Sequence, residues 1–448
     1  MNIKFVIITA AAALLQPFAL GAQDSGGEKP AVWDLAGCIA YALENNISIK
    51  MQDLNLQSAE ATLEQSKAAL FPTLNASAGG TAMFQKTPTY NDYMEASNNG
   101  TISGNLGLNS GVTLYQGGRL RNTIKQSEIS LQSAAQQKEQ TLLETEISVT
   151  QAYIQILYDR ENLEVCRTNE QLDKELLERG DALLAAGSIS KADHAQLKSQ
   201  YASDKYNTVN AENTFNTDML KLRQLLELGL DDEFEPVFPE IGDEQIHELL
   251  PPLAEIYADA LETLPQMRNS ELEVENAEIA VNIAKAGQIP SLSLNAGLST
   301  GMYSGTGTSA LQQMGDKLSE SVGLNLSIPI FNGKQNVTNV KKARIQHSNA
   351  VLQEQSTKKE ILSSIQNLYN DAVAARQKYE ASKEKLTAGE QSYELVKAQF
   401  TAGVKNVVDL NTEKANYISA LSGQLQAKYQ ALLAAKILKR YTGTPIEL

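Results

Sequence analysis

The chain has 448 residues, room for two or three ordinary domains, and carries 38 basic against 53 acidic side chains, a formal charge of −15. That balance excludes a nucleic-acid binder, which needs a basic footprint. The acidity by itself marks a solvated surface and no particular partner.

The N-terminus reads MNIKFVIITAAAALLQPFALGAQDS. Lys4 supplies a positive start, Phe5 to Leu15 an apolar stretch, Pro17 a break, and Ala19, Gly21 and Ala22 a small-residue cleavage site. Residues 1–22 are therefore expected to be a signal peptide, and the protein to be exported. No later run of 18 apolar residues exists, so no transmembrane helix is predicted. Cys38 and Cys166 fall on helical patterns without a C-x-x-C. A disulfide formed after export and two buried small side chains both fit, with burial the preferred reading.

A strand pair is predicted over about 72–116. Ile102, Leu106, Leu108, Val112 and Leu114 share one face, against Ser103, Asn105, Asn109 and Thr113 on the other. The preceding strand alternates likewise through Leu74, Ala76, Ala78 and Ala82. A period of two over roughly ten residues suits a tilted strand crossing a bilayer. A soluble sheet with one buried face shows the same alternation. Phe71 and Tyr115 at the helix junctions, with Phe84, Tyr90 and Tyr93 towards the loop, fit two interfacial aromatic girdles.

Next comes a helix with no internal stop. No proline occurs between Pro88 and Pro236, and no glycine from Arg119 to Arg179. Residues 118–186 would run roughly 100 Å at about 1.5 Å per residue. Val149, Ile156, Leu163, Leu177 and Leu184 keep a seven-residue column interrupted only by Glu170. That period demands left-handed supercoiling against neighbours. A turn over about 185–193 and a returning helix complete the unit. The prolines and acids of 230–252, LDDEFEPVFPEIGDEQIHELLPP, form a linker.

The chain then repeats itself, placing a first unit at 31–229 and a second at 253–444. A shift of 218 lays Ser58–Gly79 over Asn276–Gly297 with eight of 22 positions identical, Lys67/Lys285 and Pro72/Pro290 among them. A shift of 216 then matches Gly117/Gly333, Ala186/Ala402, Gly187/Gly403, Asp193/Asp409 and Tyr201/Tyr417. The second hairpin, about 290–332, sets Leu292, Leu294, Ala296 and Leu298, then Val322, Leu324, Leu326, Ile328 and Ile330, against Ser321, Asn325 and Ser327. Tyr303 and Phe331 supply its girdle aromatics. Its long helix, 334–402, is free of proline, and its column runs Ile365, Ala372, Tyr379, Leu386, Tyr393, Phe400. A second turn lies at about 401–409. Four strands cannot enclose a lumen, and open edges in lipid are prohibitively costly, so several copies must share one barrel.

The corner LYQGGR and the turns LAAGSISKADHAQLKSQY and FTAGVKNVVDLNTEKANY resemble those of the TolC-like outer membrane efflux protein family, and the resemblance covers essentially the whole mature chain. It implies a mostly α fold with membrane β: a duplicated helix–β-hairpin–long helix–helix unit, assembled as a homotrimer with a 12-stranded β-barrel on a coiled-coil α-barrel. It further implies an outer-membrane channel reaching into the periplasm, serving a tripartite efflux or type I secretion system with a periplasmic adaptor and an inner-membrane pump.

In that setting Gly187, Ser188, Gly403 and Val404 would form the adaptor-docking turns. Asp409 matches the family's constriction acid, with Thr412 where some relatives carry a second. Lys405 matches a basic residue that reaches an acid at the site of Asp193, while Phe400 and Ala192 stand where relatives offer hydroxyls. Helix capping explains both glycines but, at this distance from the turns, the two aspartates poorly.

His194, His247 and His347 lack ligand spacing, no nucleophile constellation stands out, and no G-x-x-x-x-G-K-[ST] loop is present. No enzyme activity, cofactor or metal is expected; His194 beside Asp193 reads as a solvated side chain. The competing picture is a periplasmic coiled-coil scaffold with soluble hairpins.

Overall fold

The computed structural model describes residues 32–88, 96–247, 250–304, 307–446 and 448. The expected signal peptide, Tyr90 and Tyr93 lie outside the described residues. Helices α1 (Leu35–Asn45) and α2 (Ile47–Ala68) come first. Asp34 starts α1 by accepting the Gly37 N–H at 2.7 Å, and Asn46 both ends α1 and starts α2, accepting the Ser48 N–H at 2.9 Å.

Strands β1 (Thr73–Pro88) and β2 (Ala96–Gln116) follow, then α3 (Arg119–Ala185) and α4 (Lys191–Leu225). The linker holds one turn, α5 (Asp243–Ile246). The second unit repeats the order with α6 (Leu253–Thr263), α7 (Pro265–Ala286), β3 (Ser291–Tyr303), β4 (Ser319–Ser327), α9 (Gln335–Thr401) and α10 (Val407–Arg440). A short helix, α8 (Ala310–Asp316), interrupts its hairpin and was not legible in the alternation. Its Gln313 side chain accepts the Tyr303 N–H at 2.9 Å and donates to the Tyr303 carbonyl at 3.0 Å, extending the β3 edge as a strand would.

The four strands form one antiparallel sheet in the order β1-β2-β3-β4. Residues directly opposite share a face, so the register sorts the side chains. Rows such as Val112–Leu294–Leu324 are apolar and Ala76–Leu108–Leu298 is apolar up to Glu320 on β4, while Asn75–Asn109–Gly297–Ser321 and Ser77–Gly107–Ser299–Ser319 are polar. On the apolar face Leu74, Ile102, Leu106, Val322, Leu324 and Leu326 are all exposed. A soluble sheet would bury that face.

Two details depart from the alternation. A bulge between Thr113 and Tyr115 leaves Leu114 as the extra residue and brings Tyr115 opposite Leu292, on the apolar side. Strand β4 stops at Ser327, short of Ile328 and Ile330. Pro329 cannot donate to a ladder.

The long helices α3 and α9 have 67 residues each and so span roughly 100 Å. They are entered through paired left-handed residues, Gly117 and Gly118 in the first unit (φ 59° and 80°), Gly333 and Lys334 in the second (φ 62° and 66°). At Gly117 a side chain has no room, since a Cβ would fall 2.8 Å from that of Ile289.

Midway along, α1 and α6 lie across the long helices. Leu35, Cys38 and Ala42 pack with Val149, Tyr153, Ile156, Leu222 and Leu432. Ile256, Ala260 and Leu264 pack with Leu143, Ile361, Ile365 and Leu438. The first heptad column is buried at Val149, Ile156 and Leu163 and becomes half-buried at Leu177 and Leu184 towards the turn. Cys38 is buried, Cys166 half-buried, and neither forms a disulfide. The linker is tied back at Val237, which donates to the Trp33 carbonyl at 2.9 Å and accepts from the Tyr153 hydroxyl at 2.5 Å, and at Asp243, which accepts from the Tyr379 hydroxyl at 2.6 Å.

Candidate functional site

The end of the helical body remote from the sheet consists of two turns with one construction. Helix α3 is capped by Ala186, with Gly187 left-handed (φ 72°); the Gly187 N–H bonds the Leu184 carbonyl at 3.0 Å and the Ser188 N–H that of Leu183 at 2.8 Å. Helix α9 is capped by Ala402 in the same way: the Gly403 N–H (φ 74°) bonds the Phe400 carbonyl at 3.0 Å, and the Val404 N–H that of Gln399 at 2.9 Å. These are Schellman closures, which a glycine makes without Cβ strain.

The returning helices are capped alike. Ser190 accepts the Asp193 N–H at 3.1 Å while Asp193 accepts from the Ser190 hydroxyl at 2.7 Å and its N–H at 3.3 Å, a reciprocal capping box. Asn406 accepts the Asp409 N–H at 2.8 Å. The expectation that capping accounts poorly for the two aspartates is thus corrected. Each helix starts four residues after its glycine, so both acids sit in a first turn, where the helix dipole favours them.

Lys405 is also placed differently. Its ammonium lies 3.4 Å from Asp409, four residues on, rather than at Asp193, whose carboxylate is occupied by Ser190. Both partners of the Lys405–Asp409 pair are about 40 % exposed, so it adds at most ~1 kcal/mol. Phe400 is half-buried and contributes its carbonyl to the second turn; Val404 is exposed. His194 bonds Asp181 across the first hairpin at 2.5 Å, not Asp193.

A deeper cluster behind the first turn escaped the sequence. Lys414 of α10, 4 % exposed, bonds Asp173 of α3 and lies 3.4 Å from Asp204 of α4, both also buried. Asn169 and Gln200 donate to Asp204 at 3.0 and 3.2 Å. Burial and the neighbouring Asp204 push the Asp173 carboxyl up to about 7, against the pull of Lys414. Behind the second turn the Tyr393 and Tyr417 rings stack at 5.5 Å. The heptad column did contain Tyr393. Nothing in the one-dimensional pattern joins Asp173 to Lys414.

At the sheet end, Phe71, Phe84, Tyr115 and Phe331 are all exposed. Phe84 opposes Gly100 and Tyr115 opposes Leu292, both on the apolar side. Tyr303 does not join them: it opposes Ser103 on the polar face, with the Lys317 ammonium 4.4 Å from its ring centre. One residue of register decides the side, and Tyr303 is removed from the girdle.

Residues 38–227 and 256–444 each match the family described as outer membrane efflux protein. The chain belongs to that family. It is 23 % identical over 364 residues to the alkaline protease secretion protein AprF of Pseudomonas aeruginosa, covering 80 % of this chain and 73 % of AprF. It is 20 % identical over 411 residues to the outer membrane protein TolC of Salmonella enteritidis, covering 89 % and 80 %. The transmembrane channel CusC superposes with a TM-score of 0.78 at 17 % identity, covering 91 % of each chain. This outer membrane efflux protein is therefore an outer-membrane channel of the efflux and secretion type that extends into the periplasm, and it is not an enzyme.

Proposed function

We propose that three copies join their four-stranded sheets into one twelve-stranded barrel, with the long helices forming a periplasmic tube closed at the two turns. The observation carrying this reading is the sheet itself. Its apolar face is exposed, its other face is mostly Ser, Thr, Asn and Gly, and β1 and β4 are open edges. In lipid an open edge leaves backbone groups unbonded, at several kcal/mol each. Pairing β4 of one copy with β1 of the next removes every edge, turns the apolar rows to lipid and the polar rows to a wet lumen. Residues 1–22 would serve as the export signal.

The tip is the gate in this proposal. Asp409 would narrow the entrance as a ring of negative charge, held by Lys405, with Asp193 on the neighbouring hairpin as the ammonium's alternative partner. An adaptor engaging Gly187, Ser188, Gly403 and Val404 would shift the two hairpins and dilate the entrance, using energy supplied by an inner-membrane pump. A channel needs no more from this chain than a conduit and a movable end.

The test is single-channel conductance of the purified channel in planar bilayers. Lys405→Ala combined with Asp193→Ala should raise conductance, because the ammonium that tethers the second hairpin and its alternative partner on the first hairpin are both removed. Unchanged conductance removes these residues from the gate. Failure of the wild type to form pores at all removes the barrel.

A further inference from the structure

The seam between α3 and α4 is built on one heptad column. Contacts join Asp159 to Asp218, Asp173 to Asp204 and Gly180 to Leu197, in steps of seven or fourteen residues that run oppositely along the two helices. Two carboxyl–carboxyl contacts thus sit two heptads apart inside one seam, with all four acids at most 9 % exposed.

Among the described residues each pair has a single cation. Lys221 of α4 holds Asp218 at 2.5 Å, and Lys414 of α10 bonds Asp173 and approaches Asp204. The remaining groups facing the first pair are Gln155, which donates to Asp159 Oδ1 at 3.1 Å, and the Tyr158 phenol. Facing the second are Asn169, Gln200, the Cys166 thiol and, from α9, the Tyr393 phenol. None of these adds a positive charge, so two ionised carboxylates against one ammonium leave each pair one charge negative.

One oxygen in each pair also has no donor: Asp159 Oδ2 and Asp173 Oδ2 are buried without a conventional hydrogen-bond partner. A proton there would meet both needs, neutralising the excess charge and donating to the facing carboxylate. Burial first, then the facing acid, pushes both Asp159 and Asp173 up to about 7. A cavity of about 310 Å³ bordered by Asn169, Gln200, Asp204, Asn411 and Lys414 gives protons and water a route to the second pair.

The second unit has none of this. Shifted by 216, the four acids fall on Ala375, Gly389, Ala420 and Ala434, where a Cβ built on Gly389 would lie 3.6 Å from that of Ala420. The hairpins that look alike in outline differ in what fills their seams.

We propose that the α3–α4 seam is a proton-operated clasp: each aspartate pair binds one proton, the bound protons hold the first tip hairpin together, and their release as the pH rises through neutrality loosens that hairpin and not the second. The sign follows from linkage. Between the ordinary carboxyl range and about 7 the closed seam binds more protons than the opened one, so its stability is greatest in acid and falls as the pH rises towards 7.

The experiment is hydrogen exchange on the full-length detergent-purified channel at about pH 5.5 and about pH 8, corrected for intrinsic exchange. Segments of α3 and α4 around the pairs should lose protection by at least about tenfold at the higher pH, while α9 and α10 keep theirs. In Asp159→Asn/Asp173→Asn the response should vanish, because the amide donates as the protonated acid does at every pH. Should that variant fail to assemble, infrared spectroscopy of the wild type at about pH 6 decides, where only acids raised above the ordinary range retain a protonated carboxyl band. A pH-independent seam, an equal response in both hairpins, an undiminished response in the variant, or no such band would each overturn the proposal. The readout is the hairpin's opening, so it stands or falls separately from the gate.

Discussion

Lys414 offers the sharpest test of how the tip region is held. Replacing it with methionine keeps most of the aliphatic stem, so packing changes little. What is lost is the only cation, among the described residues, that touches Asp173 and Asp204, both of which are buried. Lys414 pulls the Asp173 carboxyl down, so at about pH 8 the variant must either leave two buried carboxylates uncompensated or hold a proton on Asp173 against the pH. Removing one partner of a buried ion pair costs about 3–5 kcal/mol. At about 1.4 kcal/mol per tenfold, that makes local opening of the α3–α4–α10 contact roughly a hundred to a few thousand times more frequent. Hydrogen exchange of the segment Gln200–Thr208, measured against wild type at the same pH, reads that ratio directly. Adding Asp204→Asn to Lys414→Met removes one stranded charge and should recover most of the loss. A change below about threefold, or no recovery in the double variant, would show that the cluster is solvated and that its charges do not hold the helices.

Three further outcomes follow from the geometry. Leu324→Arg places a charge on the apolar rows, at about 2–4 kcal/mol if the site lies near the bilayer midplane, and should deplete assembled channel from outer membranes; Asn325→Arg, one residue away on the polar rows, should assemble normally and reduce cation conductance. Gly187→Ala and Gly403→Ala force a side chain into φ 72° and 74° with open space around each, so strain alone should cost about 1–2 kcal/mol per site, seen as faster exchange of the adjoining helix ends. Burial pushes the Cys38 thiol up to about 12, so maleimide at about pH 8 should leave Cys38 unmodified in the folded channel and label it only after denaturation. Native-state labelling at the rate of a free thiol would contradict the packing of α1.

The sequence by itself determined what is periodic. A seven-residue apolar column needs a helical neighbour at every turn, and Val149, Ile156 and Ile365 are indeed fully buried. A two-residue alternation needs two unlike surroundings, and the rows through Leu108 and Asn109 take opposite faces. The turns at Gly187 and Gly403 were equally legible, because a left-handed residue closing a helix is a local requirement.

Register and long-range pairing were settled only by the tertiary structure. Tyr303 reads as one more aromatic at a strand end, yet pairing with Ser103 turns it to the polar face, while the bulge at Leu114 turns Tyr115 to the apolar one. Lys405 had two acids within plausible reach, and the capping box at Ser190 engages one of them. Lys414 meets Asp173 and Asp204 across 241 and 210 residues. The physical reason is common to all three: a periodicity reports what surrounds one stretch of chain, whereas a pair depends on how two distant stretches slide against each other. Moving one strand by a residue, or one helix by a turn, changes every such partner and leaves the periodicities as they were.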